Sequence, residues 1–286
     1  MAENPHCVNN DRTVNVQDSV KSVSKHGLLR STAVFGSMTF LSRMAGLARD
    51  LLQASLFGTG AAVSAFVIAY RIPNYLRRIF AEGSFSSAFV PVLSELREKG
   101  DEAQIQDFLN HIAGALLAAV LLVTACGIAL SPWLARLFLL LADKDSELVA
   151  LTAAMMRITF PYLAFISMTA LAGAVMNSFR HFGLPAFIPV LHNLAIIFAI
   201  LVLAQYFEVP AFALAWGVFL AGLLQFCVMW PALRRFGLKP HFKLNFKHPG
   251  VQRVFKLMLP TIFSSSVAQL NLIVGTVCVA GIVDHD

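Results

Sequence analysis

An all-α polytopic membrane protein is the fold class this sequence predicts, with about seven transmembrane helices. Three observations carry the prediction. Charged residues make up 13% of the 286, against the roughly 25% usual in soluble domains. Hydrophobic residues make up 57%, and the mean hydropathy is +0.70. The apolar residues also gather into runs of the length, about 20 residues, that a helix needs to cross a bilayer. The net charge of +6 does not point to nucleic acid, because the basic residues lie between apolar runs, as they do in the cytoplasmic loops of membrane proteins.

Taken in order, residues 1–27 are polar and lack the apolar core of an export signal, so they read as a disordered cytoplasmic tail. Spanning helices follow at roughly 28–57, 62–82, 107–140, 148–178, 185–207, 210–234 and 252–283. The first, third, fourth and last exceed what a bilayer requires, which predicts tilt, kinks or protruding ends. Between the second and third, SFSSAFVPVLSELRE at 84–98 is amphipathic and is expected to lie at the cytoplasmic interface. Pro73, Pro161 and Pro189 fall inside spans and predict kinks. Basic residues crowd alternate connections: Arg97 and Lys99, then Arg180, then Arg234, Arg235, Lys239, Lys243 and Lys247. The other connections hold Lys144 alone. This alternation places the N-terminus in the cytoplasm.

The chemistry concentrates in Thr39–Pro91, where five arginines (Arg43, Arg49, Arg71, Arg77, Arg78) face two acids, Asp50 and Glu82. A charge at membrane depth costs a few kcal/mol or more and normally faces a bundle interior or wet cavity. Arginine stays charged on burial, so it needs an anionic partner. The excess of cations points to an anionic ligand. Two readings stand for Arg49: a ligand contact, or a pair with its neighbour Asp50. Arg43 and Asp50 share a face, as do Arg71 and Arg78, and Arg78 can pair with Glu82 one turn on. Arg157, His192, Asn193 and Gln225 are polar groups in later spans, expected mostly to bond between helices. No hydrolase, zinc-protease or P-loop signature occurs, so neither enzyme chemistry, a cofactor nor a metal is expected. Cys7, Cys126, Cys227 and Cys278 are irregularly spaced and read as small buried hydrophobes rather than disulfide or metal partners.

Five stretches resemble the MurJ/MviN family of lipid II flippases, in the multidrug/oligosaccharidyl-lipid/polysaccharide exporter superfamily. They are SRMAGLARD at 42–50, RIPNYLRRIFAEGSFSSAFVPVLSE at 71–95, RITFPYLAFISMTALAGAVMNS at 157–178, GLPAFIPVLHN at 183–193 and ALAWGVFLAGLLQ at 213–225. The resemblance implies a flippase of the bacterial plasma (inner) membrane. Such a protein moves the undecaprenyl-diphosphate-linked peptidoglycan precursor, lipid II, from inner to outer leaflet by alternating access. Matched position by position, Arg43, Arg49 and Arg77 are the family's diphosphate-binding cavity arginines. Asp50, Arg71, Arg78 and Glu82 take supporting places. Ser64 stands where the family often has an acid, a departure that puts any outer gate or ion contact using that acid in doubt.

Members of the family are about twice this long. The resemblance therefore divides the chain into a six-helix lobe over 28–234, a basic loop over 235–251 and the opening helix of a second lobe over 252–286. A single lobe cannot alternate against itself, so a second half-transporter chain is expected as partner, along with membrane lipids. The alternatives are the remnant of a disrupted flippase gene, or an exporter of another lipid-linked sugar or a drug.

Overall fold

The computed structural model describes residues 25–58, 60–82, 84–99, 101–139, 146–235 and 241–264, with side chains from Phe35 onward except those of residues 81, 82 and 235. The expected tail lies outside the described residues up to position 24, as does the seventh span beyond 264. Positions 25–27, assigned above to the tail, already belong to the first helix. A helix satisfies its backbone locally and can run on past the apolar stretch.

All regular elements among the described residues are helical. They are α1 (Lys25–Phe57), α2 (Ala61–Arg77), α3 (Ser84–Glu98), α4 (Glu102–Leu139), α5 (Ser146–Thr159), α6 (Tyr162–Ser178), α7 (Gly183–Phe198) and α8 (Phe212–Arg235). A last helical stretch, α9, covers residues 249–264. Four stretches are long and apolar enough to cross a membrane: Glu102–Leu139, Ser146–Ser178, Gly183–Tyr206 and Phe212–Arg234. The arginine-bearing α1 and α2 are not among them, since their charges and small polar residues dilute the apolar run.

Of the three prolines, Pro161 marks a break, whereas Pro73 and Pro189 lie inside uninterrupted helices. Pro161 separates α5 from α6, so the expected span 148–178 is one membrane stretch made of two helices. Pro73 is buried within α2, which then loosens into a π turn at Arg78–Glu82. After Phe198, α7 passes into a π turn at Ala199–Leu203 and a 3-10 turn at Ala204–Tyr206. Such local widenings occur often at functional positions.

Two apolar cores hold the bundle. One joins Phe85 and Phe89 of α3 to Phe108 and Leu109 of α4, Met176 of α6, Met229 of α8 and Val254 of α9. The other joins Phe66 of α2 to Met155 and Phe160 around the α5–α6 break and to Leu214 and Val218 of α8. At that break Gly127 of α4 is required: a Cβ there would fall 2.0 Å from the Phe160 ring. Helix α1 packs chiefly on α7 and leaves Phe40, Met44, Leu47 and Leu51 exposed. Cys126 and Cys227 are free and exposed, contrary to the expectation of burial. In a membrane protein the apolar character that suggests burial also coats the outer surface of the bundle.

Candidate functional site

The site is built where α1, α2 and α7 meet. Arg49 of α1 is half-buried, with 26% of its side chain exposed. Its Nε and one terminal nitrogen donate to Oδ1 of Asp50 at 3.0 and 2.7 Å. Its other terminal nitrogen donates to Oδ1 of Asn193 on α7 at 2.9 Å. Asn193 is buried and its Nδ2 donates back to the Ser42 carbonyl of α1 at 3.0 Å. One amide thus bonds both the arginine and the helix that carries it. Gly46 lies opposite: a Cβ there would sit 3.6 Å from that amide, so the two helices approach without an intervening side chain.

Arg77 ends α2, also half-buried, with Nε donating to Asn74 Oδ1 at 3.1 Å. His192 directly precedes Asn193 on α7. Its ring leans on Tyr162, centroids 5.8 Å apart, and its buried Nδ1 has no hydrogen-bond partner among the described residues.

The remaining expected residues divide. Arg43 is exposed on α1 and makes no hydrogen bond or ion pair among the described residues. Arg71 is exposed with none either, and Arg78 is exposed. Asp50 is 64% exposed on the Arg49 side chain's flank. Its pairing is the second reading offered for Arg49 above, and an ion pair this open is worth little, about 0–1 kcal/mol. The Glu82 side chain lies outside the described ones, and so does its expected bond to Arg78. Ser64 is exposed near the start of α2. Arg157 donates to Ser131 Oγ at 3.2 Å and Gln225 to the Ile188 carbonyl at 3.0 Å, both between helices as expected.

Chemically, the cluster holds more cation than anion. Arg49 spends part of its charge on an exposed carboxylate and part on the Asn193 amide, and Arg43, exposed on the same helix, meets no acid among the described residues. Such a set suits a dense oxyanion, which takes paired N–H donors from arginine. Sequence reasoning placed the arginines but gave Asn193 and His192 only a general bridging role. Their signal is an adjacent polar pair in an otherwise apolar span, but which helix they face is a tertiary fact.

Comparison with known proteins follows from this geometry. The family model described as "Lipid II flippase MurJ" matches residues 53–283. The chain is 41% identical over 253 residues to a lipid II flippase MurJ of Burkholderia cenocepacia, covering 87% of this chain and 49% of that protein. It is 42% identical over 247 residues to a probable lipid II flippase MurJ of Haemophilus influenzae, covering 84% of this chain and 48% of that one. A solved structure of a lipid II flippase MurJ in an inward closed conformation superposes with TM-score 0.69 at 27% identity, over 84% of this chain and 49% of that chain. A multidrug-type transporter of Vibrio cholerae, VcmN in its bent form, shares the fold alone, at TM-score 0.64 and 12% identity. The chain spans about half the length of the curated relatives it matches.

Proposed function

The chain belongs to the lipid II flippase MurJ family, and from that premise we propose that it forms one lobe of a flippase for the lipid-linked peptidoglycan precursor in the bacterial inner membrane. The N-terminus faces the cytoplasm, the lobe comprises residues 28–234, and a second lobe supplied by another half completes the cavity. Arg43, Arg49 and Arg77 take the diphosphate, with Asp50, Arg71, Arg78 and Glu82 in support. The polyprenyl tail stays in lipid while the headgroup enters the cavity. Neutralisation of the arginines by the diphosphate favours closure of the two lobes, and their rocking delivers the headgroup to the opposite leaflet. No covalent bond is made or broken.

The observation that supports this most directly is Arg43, a guanidinium on α1 with no carboxylate on it among the described residues. Arg49 adds to it, since its third donor is held by an amide rather than an acid. A bacterium depleted of its own flippase, expressing this chain with a complementing second half, tests the reading. Growth should be rescued by the wild type and not by Arg43→Ala or Arg77→Ala. Rescue by both variants defeats the headgroup site.

A further inference from the structure

At the end of the bundle where α3 and α4 meet, the start of α4 carries a polar stripe that the proposed transport does not use. Asp107, Asn110, His111 and Gly114 follow the i, i+3, i+4, i+7 spacing that puts residues on one helix face. The segment 241–250 is laid along that face. The His241 N–H donates to Asn110 Oδ1 at 2.7 Å and the Lys243 N–H to the Asn110 carbonyl at 3.1 Å. Gln106 Nε2, bonding the same Oδ1 at 2.9 Å, fixes the amide. The fit is close enough that a Cβ on Gly114 would fall 2.3 Å from the Lys243 carbonyl oxygen.

At the end of this docked segment His248 turns back onto α4. Its Nε2 lies 3.4 Å from Asp107 Oδ2, and His111 Nδ1 lies 3.3 Å from the same oxygen. The two imidazoles face each other with centroids 4.7 Å apart. One ligand-capable atom from each of the three side chains lies within 4.8 Å of the others. Gly250 permits this approach, since a Cβ there would press to 2.6 Å on the Phe108 ring.

We propose that Asp107, His111 and His248 form a site for a divalent transition-metal ion of the zinc class, which staples the segment 241–264 to α4. Two imidazoles and one carboxylate are ligands for zinc, cobalt or nickel, whereas magnesium and calcium want oxygen. Zinc–ligand bonds of about 2.0–2.1 Å put neighbouring ligands about 3.3 Å apart in a tetrahedron. The two separations from Asp107 match that edge. The fourth position opens toward a cavity of about 570 Å³ bordered by Asp107, His248, Glu95 and Arg253, a route for water and for the ion.

Three features of the ion-free arrangement must give way. His111 Nδ1 lies 2.9 Å from the Asp107 carbonyl oxygen, a contact that binding through this nitrogen gives up. Lys243 Nζ stands 3.7 Å from Asp107, but its side chain is 56% exposed and can swing into solvent. The Gly250 N–H donates to His248 Nδ1 at 3.2 Å. Binding through Nε2 moves the ring proton to Nδ1 and gives up this long bond. The site is therefore a competition between a lysine and a metal for one carboxylate, and weakening the lysine strengthens the metal.

The test uses the full chain in detergent with Zn2+ alone, followed by calorimetry and by thermal unfolding, and Co2+ as a visible-absorbing probe of coordination. Expected is one ion per chain that raises the unfolding temperature and gives a tetrahedral Co2+ spectrum. His248→Ala and Asp107→Asn should each weaken binding at least about tenfold, the lower bound seen for losing even an outer-shell partner. Lys243→Met, which leaves all three ligands in place, should tighten it several-fold. Wild-type chain that takes up no ion overturns the proposal. So does uptake left unchanged by His248→Ala and Asp107→Asn.

Discussion

Replacing Asn193 with alanine removes both bonds that join α7 to the arginine helix. Two hydrogen bonds go at once: Arg49 to Oδ1 at 2.9 Å and Nδ2 to the Ser42 carbonyl at 3.0 Å. In water, a bond to a charged group is worth about 1.5–3 kcal/mol and a neutral one about 0.5–1.5. Between membrane helices the measured average is nearer 0.6, with a maximum of about 1.7 kcal/mol. Asn193 is buried at a helix–helix contact, so the membrane figures govern, and two bonds come to roughly 1–3 kcal/mol.

The clean assay is a double-mutant cycle on unfolding of the detergent-solubilised chain, with Asn193→Ala, Arg49→Ala and both together. If the Arg49–Asn193 bond is energetically real, the double variant loses less than the sum of the singles, by about 0.5–1.5 kcal/mol. Additive losses would refute the reasoning, because Asn193 would then hold α1 through the Ser42 carbonyl alone. Binding of inorganic pyrophosphate to the same variants gives a second reading. Asn193→Ala should weaken it by releasing Arg49 to rotate wholly onto Asp50.

Asp50→Asn keeps an acceptor for Arg49 but deletes the competing anion. An anionic ligand about 6 Å from that carboxylate is repelled by roughly 0.7 kcal/mol in water and about 3 kcal/mol at an effective dielectric of 20, so pyrophosphate binding should tighten, most visibly at low salt. His192→Ala should weaken pyrophosphate binding and lower the unfolding temperature only through lost packing on Tyr162, since its buried Nδ1 has no bond to lose among the described residues. Gly127→Ala drives a methyl to 2.0 Å from Phe160 and should destabilise the fold by about 1–3 kcal/mol or more, read by thermal unfolding. Glu95 is held below its ordinary value of 4.5 by hydrogen bonds from Lys99 and Arg253. A depressed carboxyl contributes stability above the unfolded value and loses it as pH falls through the folded one. The Glu95–Arg253 tie between α3 and α9 should thus survive acidification to about pH 4.5 and fail below it. Hydrogen exchange in α9 should report this, and Glu95→Gln should flatten the response.

The fold class was readable because a bilayer imposes a length and a polarity on every crossing, and α4, α5–α6, α7 and α8 obey both. It was less readable for α2, whose 17 residues before the π turn fall short of a full crossing. The break at Pro161 was foreseen as a kink because proline removes a helix hydrogen bond, although Pro73 and Pro189, given the same expectation, lie inside continuous helices. The two π turns had no comparable signal, since neither RIFAE nor AILVL contains a breaker. At the site, the arginines stood out because a guanidinium in an apolar run has no cheap explanation. Asn193 did not stand out, because a neutral amide there is inexpensive. Its importance comes from facing Gly46, and only the packing of α1 on α7 brings those positions together. Asp107 and His111 were hidden for a different reason: their partner His248 comes from the far end of the chain.

We read the charges of α1 as favouring a ligand-binding role over a purely structural one. An arginine kept as half of a structural ion pair would be expected to have a carboxylate within reach. Along α1 the one acid, Asp50, is largely exposed and pairs with the residue beside it. Arg43, nearly two turns earlier, is left without any acid among the described residues. Under the proposed function, a diphosphate headgroup supplies the negative charge that Arg43 and the half-satisfied Arg49 lack, arriving with the ligand and leaving with it.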